Sequence, residues 1–418
     1  MPQTTADVVA LQLEKVKGKP LAKLFHINDV FWNEIKTRDV QKVSSREMRV
    51  PLMIRPGSRS GAVSLAGGAL GRGAATKYDK AVLTPIAMRT AVEINEDALI
   101  QTETEGEKAI VNLLAQEVTR AMEETRTQLN AWMQTAGDGI LATIATGGVA
   151  GTTWTMTGPF YTQLLREGQK ISVYTANLGT KVGEATIVTI DHPNNTITVD
   201  ADPGAVQGYN ILPEGLSGAT PAWYFGIPYH VSSAATGSWL GFSRAAEPAI
   251  RAHNVNASNN ALTTPPIRLV LNKILQRAGT VNPKSLLAHL HPAQKAAYEE
   301  LAVLVSEINK GSSNEPVDLL YGDQRMAGVK QQVDIHASRI RIDFLNMESF
   351  GRAESHPVDF LRDKKSGQIT YRPYDSTTGS PTAAILFYII WMGQIFVDNP
   401  VANGYISNLE LPSGYDNI

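Results

Sequence analysis

Cysteine is absent from the 418 residues, and this absence removes several chemistries at once. Disulfide bonds, thiolate metal sites and a thiol nucleophile are all excluded. An excess of either charge is also missing, because 38 Lys and Arg residues stand against 40 Asp and Glu residues and leave a net charge of -2. A chain so close to neutral lacks the field of a dedicated nucleic-acid-binding protein. We therefore expect stability to come from burial and assembly, and any contact with a polyanion to be local.

Long apolar runs are missing as well. The opening residues MPQTTADVVALQLEKVKG contain acids and lack the apolar core of a secretory signal. The most apolar stretch, Ala383 to Val397, is too short to cross a bilayer and is rich in β-branched and aromatic residues. It predicts a buried strand. The sequence thus indicates neither export nor a membrane anchor.

The motifs of common catalytic and nucleotide-binding sites do not occur. Gly68 and Gly73 have the spacing of a phosphate-binding loop, but Ala74 and Ala75 replace its Lys and its Ser or Thr. A strand also follows this segment, whereas a phosphate-binding loop leads into a helix. HExxH and GxSxG motifs are absent. The sequence therefore predicts no catalytic residue and no cofactor.

Two histidines, His289 and His291, lie two positions apart on a predicted strand, so both point to one side and could share a metal ion. No third ligand is adjacent in the sequence, and a structural role is the commoner one for such a pair. The other histidines are scattered. We expect no metal site and no enzyme.

Residues 46–95 predict a long β-hairpin. REMRVPLMI and KAVLTPIAMRTAVEI are typical of strands, and the Gly-, Ala- and Ser-rich stretch between them has almost nothing to bury. Because a two-stranded ribbon is marginal in water and exposes two edges, we expect it to rest on a neighbouring chain; a disordered loop is the alternative. Cations near the tip are expected to meet carboxylates of another subunit: Arg55, Arg59, Arg72 and Lys77. Glycines are expected to form a flexible hinge: Gly57, Gly61, Gly67, Gly68, Gly71 and Gly73.

Residues 107–135 predict a long helix. Its apolar side chains recur three and four positions apart, which places them on one face. At 1.5 Å per residue the helix would run ~40 Å, and such a rod needs a sheet or a neighbour along its length. The face consists of Val111, Leu114, Val118, Met122, Leu129 and Trp132.

Residues 160–213 predict a small β-barrel inserted into a larger domain. The segment carries repeated runs of period two, and HPNN is typical of a hairpin turn between IVTI and TITV. The segments on both sides, TGPFYTQ and PEGLSGATPAW, are rich in turn residues, as expected for the two connections of an inserted domain.

The remaining chain predicts a compact α/β domain followed by returning strands. IRLVLNKILQRAG is a helix that ends at Gly279, SLLAHLHP is a buried strand, and AQKAAYEELAVLV is a second helix. The returning segments VKQQVDIHASRIRIDFL, ESFGRAE, ITYRPYD and AAILFYIIWMGQIFV provide strands for two sheets. The fold class expected is α+β with discontinuous domains.

This order of elements resembles the Hong Kong 97-type major capsid proteins of tailed phages. LGFSRAAEPAI is similar to the Gly-x-x-Arg-x-x-x-Pro stretch common in them, and NASNNALT with an amphipathic helix follows it. LAHLHPAQ is similar to the strand-to-helix step of their axial domain, and QIFVDNPVANGYISNL to their closing segment. Each motif is weak alone, but together they cover most of the chain in the expected order.

The resemblance implies an icosahedral shell of pentamers and hexamers around the double-stranded DNA genome of a tailed phage. It places the protein in the virion, assembled in the bacterial host cytoplasm. Expected partners are further copies of the chain, a separate scaffold protein, portal and decoration proteins, and packaged DNA contacted without sequence specificity; no membrane is involved. Removal of an N-terminal scaffolding segment by proteolysis is not expected.

The resemblance also implies a division into named parts, namely an N-terminal arm, an extended hairpin known as the E-loop, a peripheral domain with a spine helix, and an axial domain. The expected ranges are 1–45 for the arm, 46–95 for the E-loop, 96–155 for the peripheral domain with the spine helix, 156–222 for the inserted barrel, 223–265 for the connection, 266–345 for the axial domain, 346–398 for the return strands and 399–418 for the end of the axial domain.

Two alternatives stay open at the level of sequence. An encapsulin-like nanocompartment would share the fold but enclose enzymes, and the inserted barrel and the glycine-rich tip favour the phage shell over it. A multidomain α/β enzyme would carry clustered acid, base or metal residues at the ends of its strands. No such cluster is visible in the sequence.

Overall fold

The structure is a computed structural model in which the chain divides into two compact units. One unit comprises residues 1–32, 86–130 and 354–393, and the other comprises 33–85, 131–353 and 394–418. The structure describes residues 29–44, 47–55, 57, 75–95, 107–215, 223–278, 285–309, 325–362, 369–372, 382 and 384–412, with the backbone alone at 43, 55, 95, 107–117 and 302–309.

Helices and strands are both well represented in the described residues. The helices are α1 (Val30–Glu34), α2 (Glu107–Trp132), α3 (Ile227–His230), α4 (Thr264–Ala278) and α5 (Pro292–Asn309), with 3₁₀ turns at Pro248–Ile250 and Pro400–Ala402. The first ten strands are β1 (Gln41–Ser44), β2 (Glu47–Arg55), β3 (Lys77–Leu83), β4 (Ile86–Asn95), β5 (Ala142–Ala150), β6 (Thr153–Thr157), β7 (Lys170–Tyr174), β8 (Lys181–Asp191), β9 (Thr196–Val199) and β10 (Asn210–Pro213). The others are β11 (Ser238–Trp239), β12 (Phe242–Ser243), β13 (His253–Asn260), β14 (Leu286–Leu290), β15 (Arg325–Met326), β16 (Val329–Val333), β17 (Ile342–Asn346), β18 (Phe350–Phe360), β19 (Thr370–Tyr371), β20 (Ala384–Val397) and β21 (Gly404–Leu409).

The first unit is built on the long strand β20 and the long helix α2. β4 pairs with β20 in antiparallel fashion from Ala384↔Asn95 to Gly393↔Ile86. The hydroxyl oxygens of Thr90 on β4 and Thr125 on α2 lie 2.9 Å apart. The predicted long helix and the predicted apolar strand are therefore both present.

The two strands of the hairpin are β2 and β3, and β1 joins them in a three-stranded sheet in the order β1-β2-β3. This sheet belongs to the second unit. The expected range 46–95 is too long for the ribbon, because the second predicted strand divides into β3 and β4 at Thr84 and Pro85. Pro85 has no N–H to contribute to a ladder, which favours a break there. β4 then pairs with β20 and not with β2.

The predicted barrel is present as a closed six-stranded barrel in the order β10-β5-β6-β9-β8-β7. β8 and β9 pair around the predicted HPNN turn. The barrel also includes β5, which precedes the expected start at residue 156, and β6, which begins before it at Thr153, so the closed structure extends from Ala142 to Pro213. β10 pairs with β5, with Ile211 opposite Ala142, so the two ends of the barrel lie side by side.

The α/β part is a mixed six-stranded sheet in the order β13-β21-β17-β14-β16-β15. The predicted helix–strand–helix succession is confirmed as α4, β14 and α5. α4 buries one face on the sheet, as its 3.6-residue period requires. The core on this side includes Ile267, Val270 and Ile274 from α4 and Leu286, Ala288, Phe344 and Ile406 from the strands, with Ala297, Tyr298 and Leu301 of α5 packed against it.

Candidate assembly surfaces

The ribbon formed by β2 and β3 has an inner face that packs against other residues of the second unit. Strand alternation points Met48 and Val50 of β2 and Ala81 and Leu83 of β3 to one side, where all four are buried. They pack in one core with Trp239, Leu240, Phe242, Ile250, Ala353 and Phe396. The base of the hairpin is therefore fixed by burial.

The outer face of the ribbon carries an exposed apolar pair. Met53 of β2 lies directly opposite Tyr78 of β3. Their side chains are 63% and 72% exposed, the two largest values among the large hydrophobic residues of the described chain. Pro51, two positions from Met53 on the same face, is exposed as well. Tyr and Met are enriched in protein interfaces, so this pair is a candidate contact surface. The contact residues predicted from the sequence were cations alone and did not include this pair.

Lys77, one of the four cations predicted to contact another subunit, forms an ion pair within its own chain. Its Nζ donates a hydrogen bond to Glu247 Oε1 at 2.5 Å. The Glu247 side chain is 7% exposed, whereas the lysine is about half exposed. Glu247 lies in the LGFSRAAEPAI segment, so this ion pair ties the start of β3 to that motif. A contact of Lys77 with another subunit stays a prediction.

The rest of the predicted tip falls largely outside the described residues. Arg55 is described by its backbone alone, as the last residue of β2. Gly57 is buried and its N–H donates to Thr76 Oγ1 at 3.2 Å. The following lie outside the described part of the chain: Arg59, Arg72, Gly61, Gly67, Gly68, Gly71 and Gly73. Their roles in contact and hinge motion stay predictions.

A cleft of about 890 Å³ runs along the outer edge of β2. Residues 38–41 form one wall, β2 from Arg49 to Ile54 forms the other, and Trp239, Ile250 and Phe396 contribute apolar surface. At one end Arg38 forms an ion pair with Asp398 and donates to the carbonyl of Glu348. Burial raises the pKa of Asp398 despite this guanidinium. β1 covers β2 only as far as Arg49, and no other strand in the described part of the chain pairs with this edge of β2 beyond it.

The predicted apolar face of α2 is buried towards its C-terminal end. Leu129 and Trp132 are buried, and Val118 and Met122 are half-buried. Val111 and Leu114 lie in α2 and are described by their backbone alone. Trp132 stacks on Tyr224 at 5.6 Å and meets Trp223 edge-on at 4.8 Å, which fixes the end of the helix against an aromatic cluster.

His289 and His291 take part in buried polar contacts that join the α/β sheet to neighbouring segments. His289 Nε2 donates to Gln134 Oε1 at 3.1 Å, and Gln134 Nε2 donates to Asp334 Oδ2 at 3.4 Å. The amide N–H of Ala293 donates to His291 Nδ1 at 3.1 Å, and the Gln163 side-chain amide lies 2.7 Å from His291 Nε2. Both histidines thus bind protein groups and have a structural role.

The electrostatics of this region favour neutral imidazoles. Burial and, to a smaller extent, the positive charge of Arg339 together lower the pKa of His291 to about 4. Burial also lowers the pKa of His230 to about 3. Among the described residues, no group of three His, Asp or Glu side chains is arranged to hold a metal ion. No helix in the described part of the chain is long and apolar enough to cross a membrane.

Comparisons with known proteins place the fold through structure alone. No family model and no curated protein matches the sequence. The capsid asymmetric unit of cyanophage A-1(L) matches with a TM-score of 0.53 and 12% identity, over 93% of this chain and 95% of that chain. A structure of Gordonia phage Cozz matches with a TM-score of 0.46 and 10% identity, over 94% of this chain and 90% of that one. The capsid of cyanophage P-SCSP1u also gives a TM-score of 0.46 and 10% identity, over 94% and 92%. The first of these matches confirms the resemblance at the level of the fold: this chain has the fold of a phage capsid subunit.

Proposed function

We propose that this protein is the major capsid protein of a tailed phage and that its copies form the pentamers and hexamers of an icosahedral head shell. The match over 93% of the chain to a phage capsid subunit carries this proposal. The shell would enclose the double-stranded DNA genome of the phage. The role is structural, not enzymatic.

The ribbon supports assembly from many copies. Its inner face is buried on its own unit, while its outer face exposes Met53 and Tyr78 to solvent. Exposed apolar side chains placed opposite each other gain free energy when a second surface covers them. A neighbouring copy is the surface that a repeating shell always provides.

The layout of the Hong Kong 97-type fold fits the described elements. We assign the ribbon to the E-loop, α2 to the spine helix, β4, β18, β19 and β20 to the peripheral domain, and the six-stranded sheet with α4 and α5 to the axial domain. The closed barrel would be an insertion, since its first and last strands lie side by side. The N-terminal arm falls largely outside the described residues.

We expect the chain to act with further virion components. A separate scaffold protein, a portal and decoration proteins are the partners proposed, with non-specific contact to packaged DNA on the inside of the shell. Assembly would take place in the cytoplasm of the bacterial host. The net charge of -2 limits any DNA contact to local groups.

A phage head and an enzyme-loaded compartment differ in what they enclose, because the head holds DNA and the compartment holds protein. An antibody against this protein should label the heads of particles that protect double-stranded DNA from nuclease, and these heads should be visible by electron microscopy. Labelling confined to particles that hold protein cargo and no DNA would contradict the proposal.

A further inference from the structure

Helix α4 buries one face and presents the opposite face to solvent. Ile267, Val270 and Ile274 are buried on the sheet. The outer surface carries Arg268 together with two leucines. Leu269 and Leu275 are 47% and 46% exposed. The outer face therefore combines apolar surface with positive charge.

Helix α4 carries a net positive charge. Residues 264–278 contain Arg268, Lys273 and Arg277 and no acid. Lys273 donates to the carbonyl of Asn254, and Arg277 donates to that of Pro248, so both cations are held close to the body.

Helix α5 has the opposite balance. Residues 292–309 contain one lysine and three glutamates. Glu299 forms an ion pair with Lys295 at 3.4 Å, one turn before it. Glu300 is exposed next to this pair. The described outer surface of α5 is therefore acidic at Glu300.

The two helices lie at opposite edges of the same sheet. α4 contacts β13 and β21, which form one edge in the strand order. On α5, Tyr298 donates from its hydroxyl to the carbonyl of Arg325 in β15, at the other edge. Contact between the α4 faces of two copies would bring the two Arg268 side chains together. Repulsion between their like charges disfavours that contact. Contact of α4 with α5 brings opposite charges together.

We infer that the outer face of α4 in one copy docks against α5 in the next copy, with Arg268 facing Glu300 and the two leucines covered. This inference rests on the proposed shell function and names the surfaces that close its rings. The contact is heterologous, since two different faces of the chain meet. Such a contact generates a ring when its rotation closes.

Charge reversal tests the pairing directly. Arg268→Glu and Glu300→Lys should each raise the protein concentration needed for half-maximal assembly by about tenfold or more, because each puts like charges opposite one another. The double variant Arg268→Glu/Glu300→Lys should recover assembly to within about threefold of the unchanged protein. Assembly is measured by sedimentation of the full-length chain, and thermal unfolding checks that each variant folds. Lys181→Glu, a charge reversal on the barrel, is the matched control and should assemble normally.

Two further measurements sharpen the test. Salt should relieve the defect of Arg268→Glu, since screening weakens repulsion between exposed charges. Leu269→Ser should weaken assembly without this salt dependence, because it removes apolar contact. A mixture of the two single charge variants should assemble better than either alone, since the glutamate introduced into α4 of one copy can then face the lysine introduced into α5 of another.

Normal assembly of both single charge variants would overturn the pairing while leaving shell formation intact. Loss of assembly in the double variant as severe as in the singles would also overturn it. Failure of the unchanged protein to assemble at all would count against the proposed function itself, so the two failures are distinguishable.

Discussion

Lys77 Nζ donates to Glu247 Oε1 at 2.5 Å, across 170 positions of sequence. The pair joins the first residue of β3 to a carboxylate that is almost fully enclosed. An enclosed carboxylate loses its water and depends on its partner. This contact therefore holds the start of β3 to the body of the subunit, in addition to the buried core that fixes the base of the hairpin.

Replacement of Lys77 should destabilise the subunit through the group it leaves behind. Lys77→Met leaves the Glu247 carboxylate buried beside an apolar side chain, which costs about 1–3 kcal/mol in free energy of unfolding. Urea unfolding followed by tryptophan fluorescence measures this change. Lys77→Met/Glu247→Leu removes both partners and should recover most of the loss. A double variant less stable than Lys77→Met would contradict this account of the pair.

Met53 and Tyr78 should matter for assembly and not for folding. Both side chains face solvent, so Met53→Ser and Tyr78→Ser should change the free energy of unfolding by less than about 0.5 kcal/mol. Each should reduce the yield of sedimenting shells, because the apolar contact with the neighbour is lost. Val188→Ser is a matched control, since Val188 is exposed on β8 of the barrel. Unchanged shell yield for both ribbon variants would exclude the outer face as a contact.

Stability should fall as the pH falls from about 6.5 to about 4. The pKa of His291 drops from 6.5 to about 4, and that of His230 drops to about 3. In each ring Nδ1 accepts a hydrogen bond, from the Ala293 amide or from Trp239 Nε1, and a proton on Nδ1 would remove it. As the pH falls, the histidines of the unfolded chain are protonated near pH 6.5, whereas those of the folded chain stay neutral until about pH 4 or lower. The stability that is present above pH 6.5 is therefore lost progressively as the pH falls towards these lower values.

The midpoint of thermal unfolding, measured between pH 7 and pH 4, checks this dependence. His291→Gln should make the decline less steep, because a glutamine does not titrate. A midpoint that stays constant over this range would show that the buried histidines do not govern acid stability.

The barrel should be separable only when its full extent is removed. Replacement of residues 142–213 by a short Gly-Ser linker joins ends that already lie side by side at Ala142 and Ile211. Circular dichroism should show a folded remainder, although it loses the contact between Gln163 and His291. Removal of 160–213 alone leaves β5 and β6 paired only with each other, with both outer edges exposed, and should produce aggregation. Equal behaviour of the two deletions would contradict the observed extent of the barrel.

Periodicity predicted the long elements α2 and β20. α2 and β20 have regular apolar patterns over many residues, and both are present. β5 was not predicted, because Gly147 adopts a φ of 70° and the pairing with β6 shifts register between Ile144 and Val149. Such a bulge breaks the alternation on which a strand prediction depends.

The contact surfaces were predicted less well, because they depend on distant residues. Lys77 was identified as a contact residue, but nothing in the sequence around it indicates Glu247 as its partner. The exposure of Met53 follows from the pairing of β2 with β3, which places Met48 and Val50 inward and Met53 outward. A sequence pattern gives the alternation but does not say which face is covered.

Many copies of this chain should form one closed shell. Electron microscopy of the purified full-length protein, with and without residues 57–75, tests this expectation most directly. We expect closed icosahedral shells from the full chain and folded, unassembled subunits from the deletion. A compact and stable monomer from the full chain, under conditions that preserve its fold, would contradict the account.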